Sequence, residues 1–578
     1  MSGTPPECES FYLLFLWLTP QANFRSAFGT KTKCQQNLDA EKSGFYDFLY
    51  RNMTYNAVLK MKLSSGQTKT VGQLTKLKIG LAALPIILLL VFAAVLTVDR
   101  LIVPQMPLGP DATAYAIIGH GLLNGQSLYT DIWDHKPPVI YIVYAAVEIF
   151  LGYSPQTIVL LNIFVSLIVM SGLFYAGKAG RGGIVSGLWA AGLWVVVSGT
   201  FEIEGRDPNT EVFINACVIW AFALLAKNRK EGFAAKHLIF LGLLFTLGSF
   251  FKPVVVAYAV FLMCAHVAFP HGGAANRKKA LTDALIIGAV GAAGWILMFG
   301  YFAATNRFEI FYKTIVAYNS YYSGNILTNI IAPLQGRSEL FLNFMNPLAG
   351  CVIIGLIFTF IDNRRQAALL AAFAASTWIA IALPGRFYVH YFQLWLPPLI
   401  VGSSWAIGHF AASEKIQLRL ASYAAGTVIA VILIFNQISP YQSALAKDWT
   451  PFSNPPLVAG EDTARQINSL LTEDETFLLW GNTPNLYFLS GRKPPTAILF
   501  QQHLNESPVS ERLVNQVKAD LARERPELLI AESGKPPAPV WIAQDYEPMP
   551  IPQNKNTYSF YMRRGGRLAN QFNSSPEK

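Results

Sequence analysis

Long apolar stretches recur along most of this chain, and they constrain its fold more than any other feature. They lie near 79–98, 156–177, 183–200, 211–226, 237–251, 253–270, 281–304, 343–361, 367–384, 391–411 and 420–437, nearly free of ionisable side chains. In hydrocarbon every backbone N–H and C=O must find its partner inside the structure, so such stretches form helices. Crossing a bilayer takes about 20 apolar residues. Composition agrees: 52% of the 578 residues are apolar and 14% charged, against about 25% charged in soluble proteins. Mean hydropathy is +0.34. Those values exclude a soluble enzyme and a disordered scaffold, and predict a polytopic α-helical membrane protein. The net charge of +10 does not point to nucleic acid, because membrane proteins concentrate Lys and Arg in cytoplasmic loops. Five cysteines form no CxxC or Cys/His zinc spacing.

Charge orients the spans. The connections 178–182, 227–236, 271–280, 362–366 and 412–419 hold 13 Lys and Arg in 38 residues. The alternate connections, far longer in total, hold eight: Arg100, Lys136, Arg206, Lys252, Arg307, Lys313, Arg337 and Arg386. The positive-inside rule places the first set in the cytoplasm. The pattern stays consistent only if the short apolar stretch 139–151, which carries Glu148, does not cross. The expectation is therefore about eleven transmembrane helices in a cell membrane protein, with the N-terminus cytoplasmic and the C-terminal region outside.

Three regions follow. Residues 1–78 read as a poorly ordered cytoplasmic extension without assigned function. Residues 79–438 form the membrane domain, with a first outer loop at 99–155. Residues 439–578 read as a soluble α/β domain: helical patterns at 461–471 and 510–525 alternate with strand candidates at 476–480, 497–500, 527–531 and 557–562.

Polar chemistry gathers in the outer connections. Residues 109–141 carry Asp111, Tyr115, His120, Tyr129, Asp131, Asp134, His135, Lys136, Pro137 and Pro138. Residues 201–211 (FEIEGRDPNTE) carry Glu202, Glu204, Arg206, Asp207 and Glu211. Lys252 sits at a helix junction, and PGRFYVHY at 384–391 carries Arg386 and His390. Taken singly, each has a bland explanation. Asp131 is a solvated loop acid, and His120 a packing residue. Tyr318, Tyr321 and Tyr322 form an interfacial belt, Pro137 and Pro138 punctuate helices, and Lys252 and Arg386 snorkel. Four outer segments with complementary charges together mark a site suited to acid/base chemistry beside an anionic phosphate.

These residues resemble a known family. Asp111 and Tyr115 in DxxxY spacing, followed by NGQSLYTDIWDHKPP, look like the first outer loop of GT-C superfamily membrane glycosyltransferases. The bacterial branch related to protein mannosyltransferases and the lipid A aminoarabinose transferase (family 39-like) is the nearest. NTE at 209–211, GRFYVHYFQLWLPP at 385–398 and WGNTPNLYFLSGRKPP at 480–495 are similar to that branch, over roughly residues 79–500. The resemblance implies that Asp111 is the catalytic acidic residue, with Glu211 the second acid and Glu204 and Asp207 competing for that place. It implies that Asp134, His135, Lys136, Pro137 and Pro138 are the element facing the donor phosphate, with Arg386 beside it. Arg206, Lys252 and His390 complete the expected phosphate-binding set. Some relatives bind a divalent metal near that element; here His135 stands where they carry an acid. Stretch 139–151 would be the family's juxtamembrane helix.

The expected activity is glycosyl transfer, hexosyl or pentosyl. The donor is a polyprenyl-phosphate sugar, the acceptor an extracytoplasmic protein, lipid or glycan, and the displacement inverts the anomeric centre. Two other classes compete: a transporter or flippase of lipid-linked glycans, and a non-catalytic membrane scaffold. Transporters place polar groups and broken helices near the bilayer midplane, whereas here they cluster at one face.

Overall fold

A computed structural model describes residues 69–102, 108–227, 232–332, 339–445, 460–505, 507–550 and 558–574. Residues 86–578 form one compact unit. Of the other unit, residues 1–85, only the helix beginning at Lys69 is described. The rest of the predicted 1–78 extension lies outside the described residues.

All eleven apolar stretches fall on helices. Among the described residues, six are long and apolar enough to cross a membrane: Ala83–Ile102, Pro155–Lys178, Ala274–Ala304, Met345–Asp362, Arg364–Ala382 and Ile416–Ser439. They make the chain a multi-pass membrane protein. The other apolar stretches form shorter helices, among them Ile184–Val197, Thr210–Ala226, Ala235–Phe251 and Leu396–Ala411. Sequence hydropathy runs through their ends, where Asn209, Pro253 and Pro397 set the boundaries.

The bundle has a centre and a rim. Leu396–Ala411 is buried along almost its whole length. By contrast, Ile296 and Leu297 on the Arg277–Ala304 helix are 70% and 74% exposed, as lipid-facing side chains must be. Small residues bring helices together. A Cβ at Gly355 would fall 2.2 Å from the Gly402 carbonyl oxygen, so the Glu339–Asp362 and Leu396–Ala411 helices meet backbone to backbone.

The stretch expected not to cross is the helix Val139–Leu151. At about 1.5 Å per residue it is some 20 Å long, short of a bilayer's roughly 30 Å hydrocarbon core. Its Glu148 meets His120 Nδ1 at 2.6 Å, tying it to the Pro110–Leu123 helix.

The C-terminal domain holds a sheet of four strands, β1 (Phe477–Trp480), β2 (Leu528–Glu532), β3 (Tyr546–Pro548) and β4 (Tyr558–Arg563), in the order β1-β2-β4-β3. β1 and β2 are parallel, joined through the helix Ser510–Glu524, while β4 runs antiparallel to both β2 and β3. The strand expected at 497–500 is not in this sheet. Instead Ile498 bridges to Trp133 of the first outer loop, whose N–H donates to Ala497 O at 2.8 Å. A continuously buried apolar segment satisfies a strand pattern, yet its partner lies more than 350 residues away along the chain. That pairing joins the C-terminal region to residues 128–133, reinforced by Tyr153 against Phe488, with centroids 4.6 Å apart.

Candidate active site

Asp111 lies in the first turn of the Pro110–Leu123 helix, where Gly109 precedes a proline suited by its fixed φ to the first helical position. The helix dipole favours a carboxylate there. Two cations grip it: Lys136 Nζ stands 3.5 Å from Oδ1, and His390 Nε2 stands 3.6 Å from Oδ2. Burial alone would raise the Asp111 pKa; the Lys136 ammonium, followed by His390, holds it below its ordinary value. The side chain is still 25% exposed, and it faces a cavity.

That cavity joins five parts of the chain. Asp111, Asp134, His135, Lys136 and Pro137 come from the first outer loop, and Lys252 from the helix junction. Tyr322, Tyr388, His390 and Tyr391 come from later outer segments; Phe500, Gln502 and His503 come from the C-terminal domain. Phosphate chemistry needs fixed positive charge in a place poor in water, and Lys136, Lys252 and His390 supply it.

Each cation has its own acid. Lys252 Nζ lies 3.0 Å from Glu211 Oε1 and 3.4 Å from the Tyr391 ring centroid, while Thr210 Oγ1 donates to the other Glu211 oxygen. Glu211 is fully buried behind that lysine. Glu204, in a left-handed backbone conformation at φ 52°, meets His390 Nδ1 at 3.1 Å. Burial would lower the His390 pKa, but the Glu204 hydrogen bond and the nearby Glu211 and Asp111 carboxylates raise it above its ordinary 6.5. Asp207 is also buried; its Oδ2 accepts from the Gly109 N–H at 3.1 Å. Burial, with Glu204 adding to it, pushes its carboxyl well above the usual range. Two carboxyls at the same helix start are thus shifted in opposite directions, Asp207 upward and Asp111 downward.

Asp134 is 1% exposed; Tyr141 Oη donates to its Oδ2 at 2.8 Å, and the His135 N–H to its Oδ1 at 2.7 Å. Lys136 and His135 hold its pKa well below the ordinary value against the effect of burial. Asn319 Nδ2 fixes the His135 carbonyl at 2.9 Å from beside a π turn, Lys313–Tyr318. Such turns are frequent at functional sites, and this one aims Thr314 at the Trp133 indole N–H, 3.1 Å away.

Other sequence-predicted residues take different places. Tyr115 is buried with Lys136 Nζ 5.0 Å from its ring centroid. Tyr129 at φ 71° shapes the loop, its Oη donating to Lys136 O at 2.7 Å. Pro137 lines the cavity, and Pro138 precedes the Val139–Leu151 helix. Asp131 is exposed and caps its own loop by accepting from Ser127 N–H at 2.8 Å. Arg206 is not brought to the cavity: it is buried, donates to Gly199 O at 2.9 Å and pairs with Asp99 at 2.9 Å. Arg386 lies outside the cavity lining, exposed, over the Tyr322 ring at 4.2 Å.

The sequence reading missed His503, which is 2% exposed with neither ring nitrogen hydrogen-bonded among the described residues. Burial and the neighbouring His135 push its pKa down to about 3. Tyr318, read as part of an interfacial belt, packs on Trp133 and His135, and Tyr322 lines the cavity. No local motif marks these residues; only the packing of segments distant in sequence brings them together.

No family model matches the chain, and no curated protein matches it by sequence. Solved structures do. The aminoarabinose transferase ArnT from Cupriavidus metallidurans, bound to undecaprenyl phosphate, superposes with a TM-score of 0.57 at 13% identity, over 85% of this chain and 99% of that one. Its apo state gives the same values, 0.57 and 13%. The archaeal oligosaccharyltransferase AglB from Archaeoglobus fulgidus, in complex with an inhibitory peptide and a dolichol-phosphate, gives 0.48 at 11% identity over 78% of this chain and 69% of that one. Aligned over 85% of its own length and 99% of ArnT, with its apolar helices and small C-terminal sheet, the chain shares the fold of that structure.

Proposed function

We propose that the protein is a membrane glycosyltransferase that moves a sugar from a polyprenyl-phosphate donor to an acceptor hydroxyl outside the cytoplasm. One observation carries this reading: a partly exposed, ionised Asp111 stands in a cavity ringed by Lys136, Lys252 and His390. The fold match to ArnT bound to undecaprenyl phosphate supports it.

The acceptor oxygen attacks the anomeric carbon and forms the new glycosidic bond. The bond from that carbon to the phosphate oxygen breaks, its electron pair leaving with the lipid phosphate. Asp111 takes the acceptor's proton, and the anomeric centre inverts. Lys136 and Lys252 neutralise the leaving phosphate. Lys136 bridges Asp111 and Asp134 at 3.5 and 3.8 Å, longer than an optimal charged hydrogen bond of about 2.7–2.9 Å, so a phosphate competes for it readily. As Lys136 turns to the phosphate, Asp111 loses a counter-charge and becomes a better base. Glu211 holds Lys252, and Glu204 holds His390 against Asp111. Arg386 serves at most the periphery of the site.

A divalent ion, when bound, supplies further positive charge beside the phosphate. Asp134 and His135 fit that role: the buried His135 Nδ1 stands 2.9 Å from Asp134 Oδ1, two ligand atoms side by side at the cavity. The positive-inside pattern supports a cavity and C-terminal region outside the cytoplasm.

Mass spectrometry of lipid-linked sugars and surface glycans tests the reading in a deletion strain and in an Asp111→Asn strain. Both should accumulate a polyprenyl-phosphate sugar and lose one glycan modification. Unchanged profiles in both strains would overturn it. A lipid-linked glycan trapped in the deletion strain but not the Asp111→Asn strain would favour a flippase.

A further inference from the structure

The segment 500–505 serves two cavities. Phe500, Gln502 and His503 line the one that holds Asp111. Gln501, Gln502, Leu504 and Asn505 line a second cleft of about 410 Å³. Gln502 is common to both, so the two adjoin. The second cleft falls in the range of about 300–1,000 Å³ usual for ligand sites.

Its lining differs in kind from that of the first. Trp480 and Trp541 stand half-buried among the amides of Asn482, Gln501, Gln502 and Asn505, with Lys535 the charged residue of the lining. The indoles are held in place: Trp480 Nε1 donates to Pro536 O at 3.0 Å, and both rings pack on a small core of Leu478, Leu529, Ile542 and Tyr546. The backbone sets the amides. The Gln501 N–H donates to Gly481 O at 3.1 Å, and the Gln502 N–H to Asn482 Oδ1 at 3.3 Å. Gln501 Oε1 has no hydrogen bond among the described residues. Trp541 also lines a third cleft, of about 470 Å³, whose walls set Lys518, Arg525, Arg563 and Arg564 against a single acid, Asp545. Arg563 pairs with Glu527 at 2.8 Å and Arg564 with Glu547 at 3.1 Å. Lys518 lies 5.3 Å from the Trp541 ring centroid, and neither it nor Arg525 has an ion pair among the described residues.

We propose that these two clefts form a track for the acceptor, and that the acceptor is an extended saccharide carrying anionic groups. This inference rests on the transferase reading and names its acceptor class. A pyranose ring presents C–H bonds on its faces and hydroxyls at its rim. An indole offers those faces a large, rigid apolar surface, and amides match hydroxyls because both donate and accept. Peptide recognition uses strand pairing or apolar side-chain pockets, whereas Leu504 and Val514 are the aliphatic residues here besides the prolines. With its reacting hydroxyl at Asp111, the saccharide passes Gln502 and lies over Trp480 and Trp541. Its anionic groups then reach Lys518 and Arg525, where hydrogen bonds between charged groups are strong.

The probe is the saccharide released from envelopes of the deletion strain and freed of lipid and peptide. It is titrated calorimetrically into the purified full-length protein in detergent. Binding should saturate, and Trp541→Ala should weaken it by about tenfold or more, as loss of a central aromatic contact does. Lys518→Gln combined with Arg525→Gln should weaken it and reduce its salt dependence. Affinity for undecaprenyl phosphate should stay at the parental value in these variants, because none of the three residues lines the Asp111 cavity. Dephosphorylating the saccharide, or reducing its carboxyl groups, should reproduce the charge loss, and the effective treatment identifies the anion; if neither has an effect, the anionic assignment falls. No saturable binding, tighter binding of the peptide fraction from the same envelopes, or parental affinity in a folded Trp541→Ala protein would overturn the proposal. If that variant does not fold, Asn505→Ala, at an exposed position, carries the same test. The two readings fail separately. A saccharide that does not bind, in a protein whose Asp111→Asn strain still accumulates the lipid-linked sugar, removes the acceptor class alone. Unchanged lipid-linked sugars in the Asp111→Asn and deletion strains, with saccharide binding intact, remove the transferase reading and leave a saccharide-binding surface.

Discussion

Replacing Lys136 with glutamine isolates the charge on which the proposed chemistry depends. The side chain is 11% exposed and serves two carboxylates, at 3.5 Å and 3.8 Å, neither at optimal hydrogen-bonding distance. A donor phosphate would form the better contact, and removing one charge-assisted contact costs about 1.5–3 kcal/mol. Affinity for undecaprenyl phosphate should therefore fall roughly tenfold to a hundredfold. Folding should suffer less, because Asp134 keeps Tyr141 and the His135 N–H as donors. Lys136→Arg should recover part of the affinity, since the charge survives in a different shape. The assay is titration of the purified variants with undecaprenyl phosphate in detergent, beside thermal unfolding of the same samples. A Lys136→Gln protein that unfolds like the parent and binds within twofold of it would refute the phosphate role.

Three further outcomes follow. Asp111→Asn removes a base without bulk, so transfer should fall by about 10²-fold or more while insertion and fold persist; comparable activity in membranes would reject the role. His390 is held above its ordinary 6.5, so its ion pairs contribute fully below pH 6.5 and are lost as pH rises through the folded value. Thermal stability should decline across that alkaline step, and His390→Gln should flatten it; an unaltered profile in the variant contradicts the assignment. Periplasm-active reporters fused after residue 205 should be active, and those fused after 275 or 366 silent, with the reverse result inverting the proposed topology.

Much of this was legible in the sequence because hydropathy and charge are local signals. Apolar runs became helices, among them the short segment 139–151 with its Glu148. Asp111, Lys136, Lys252 and His390 stood out because the apolar stretches between their segments are nearly free of charge. What was illegible depends on direction or on partners distant in sequence. An arginine after a span reads alike whether it faces a phosphate or, as Arg206 does, turns to Asp99. Residues 497–500 carry a strand pattern, but their hydrogen bond goes to Trp133. His503 sits in an ordinary amide-rich turn, and only the docking of that turn on the outer loop places it in the cavity.

The close approach of Gly109 to Asp207 has a consequence for how this site tolerates change. A methyl group at position 109 would lie 2.3 Å from Asp207 Oδ2, inside the contact distance of the two atoms. It would also push apart the N–H and carboxyl that join the first and second outer loops at 3.1 Å. The helix that carries Asp111 begins one residue later, so the hydrogen bond sets where that carboxylate stands along the cavity wall. Alanine at 109 would remove no charged group and still move Asp111 relative to Lys136 and His390. The aim of the base is thus held by a residue that has no side chain.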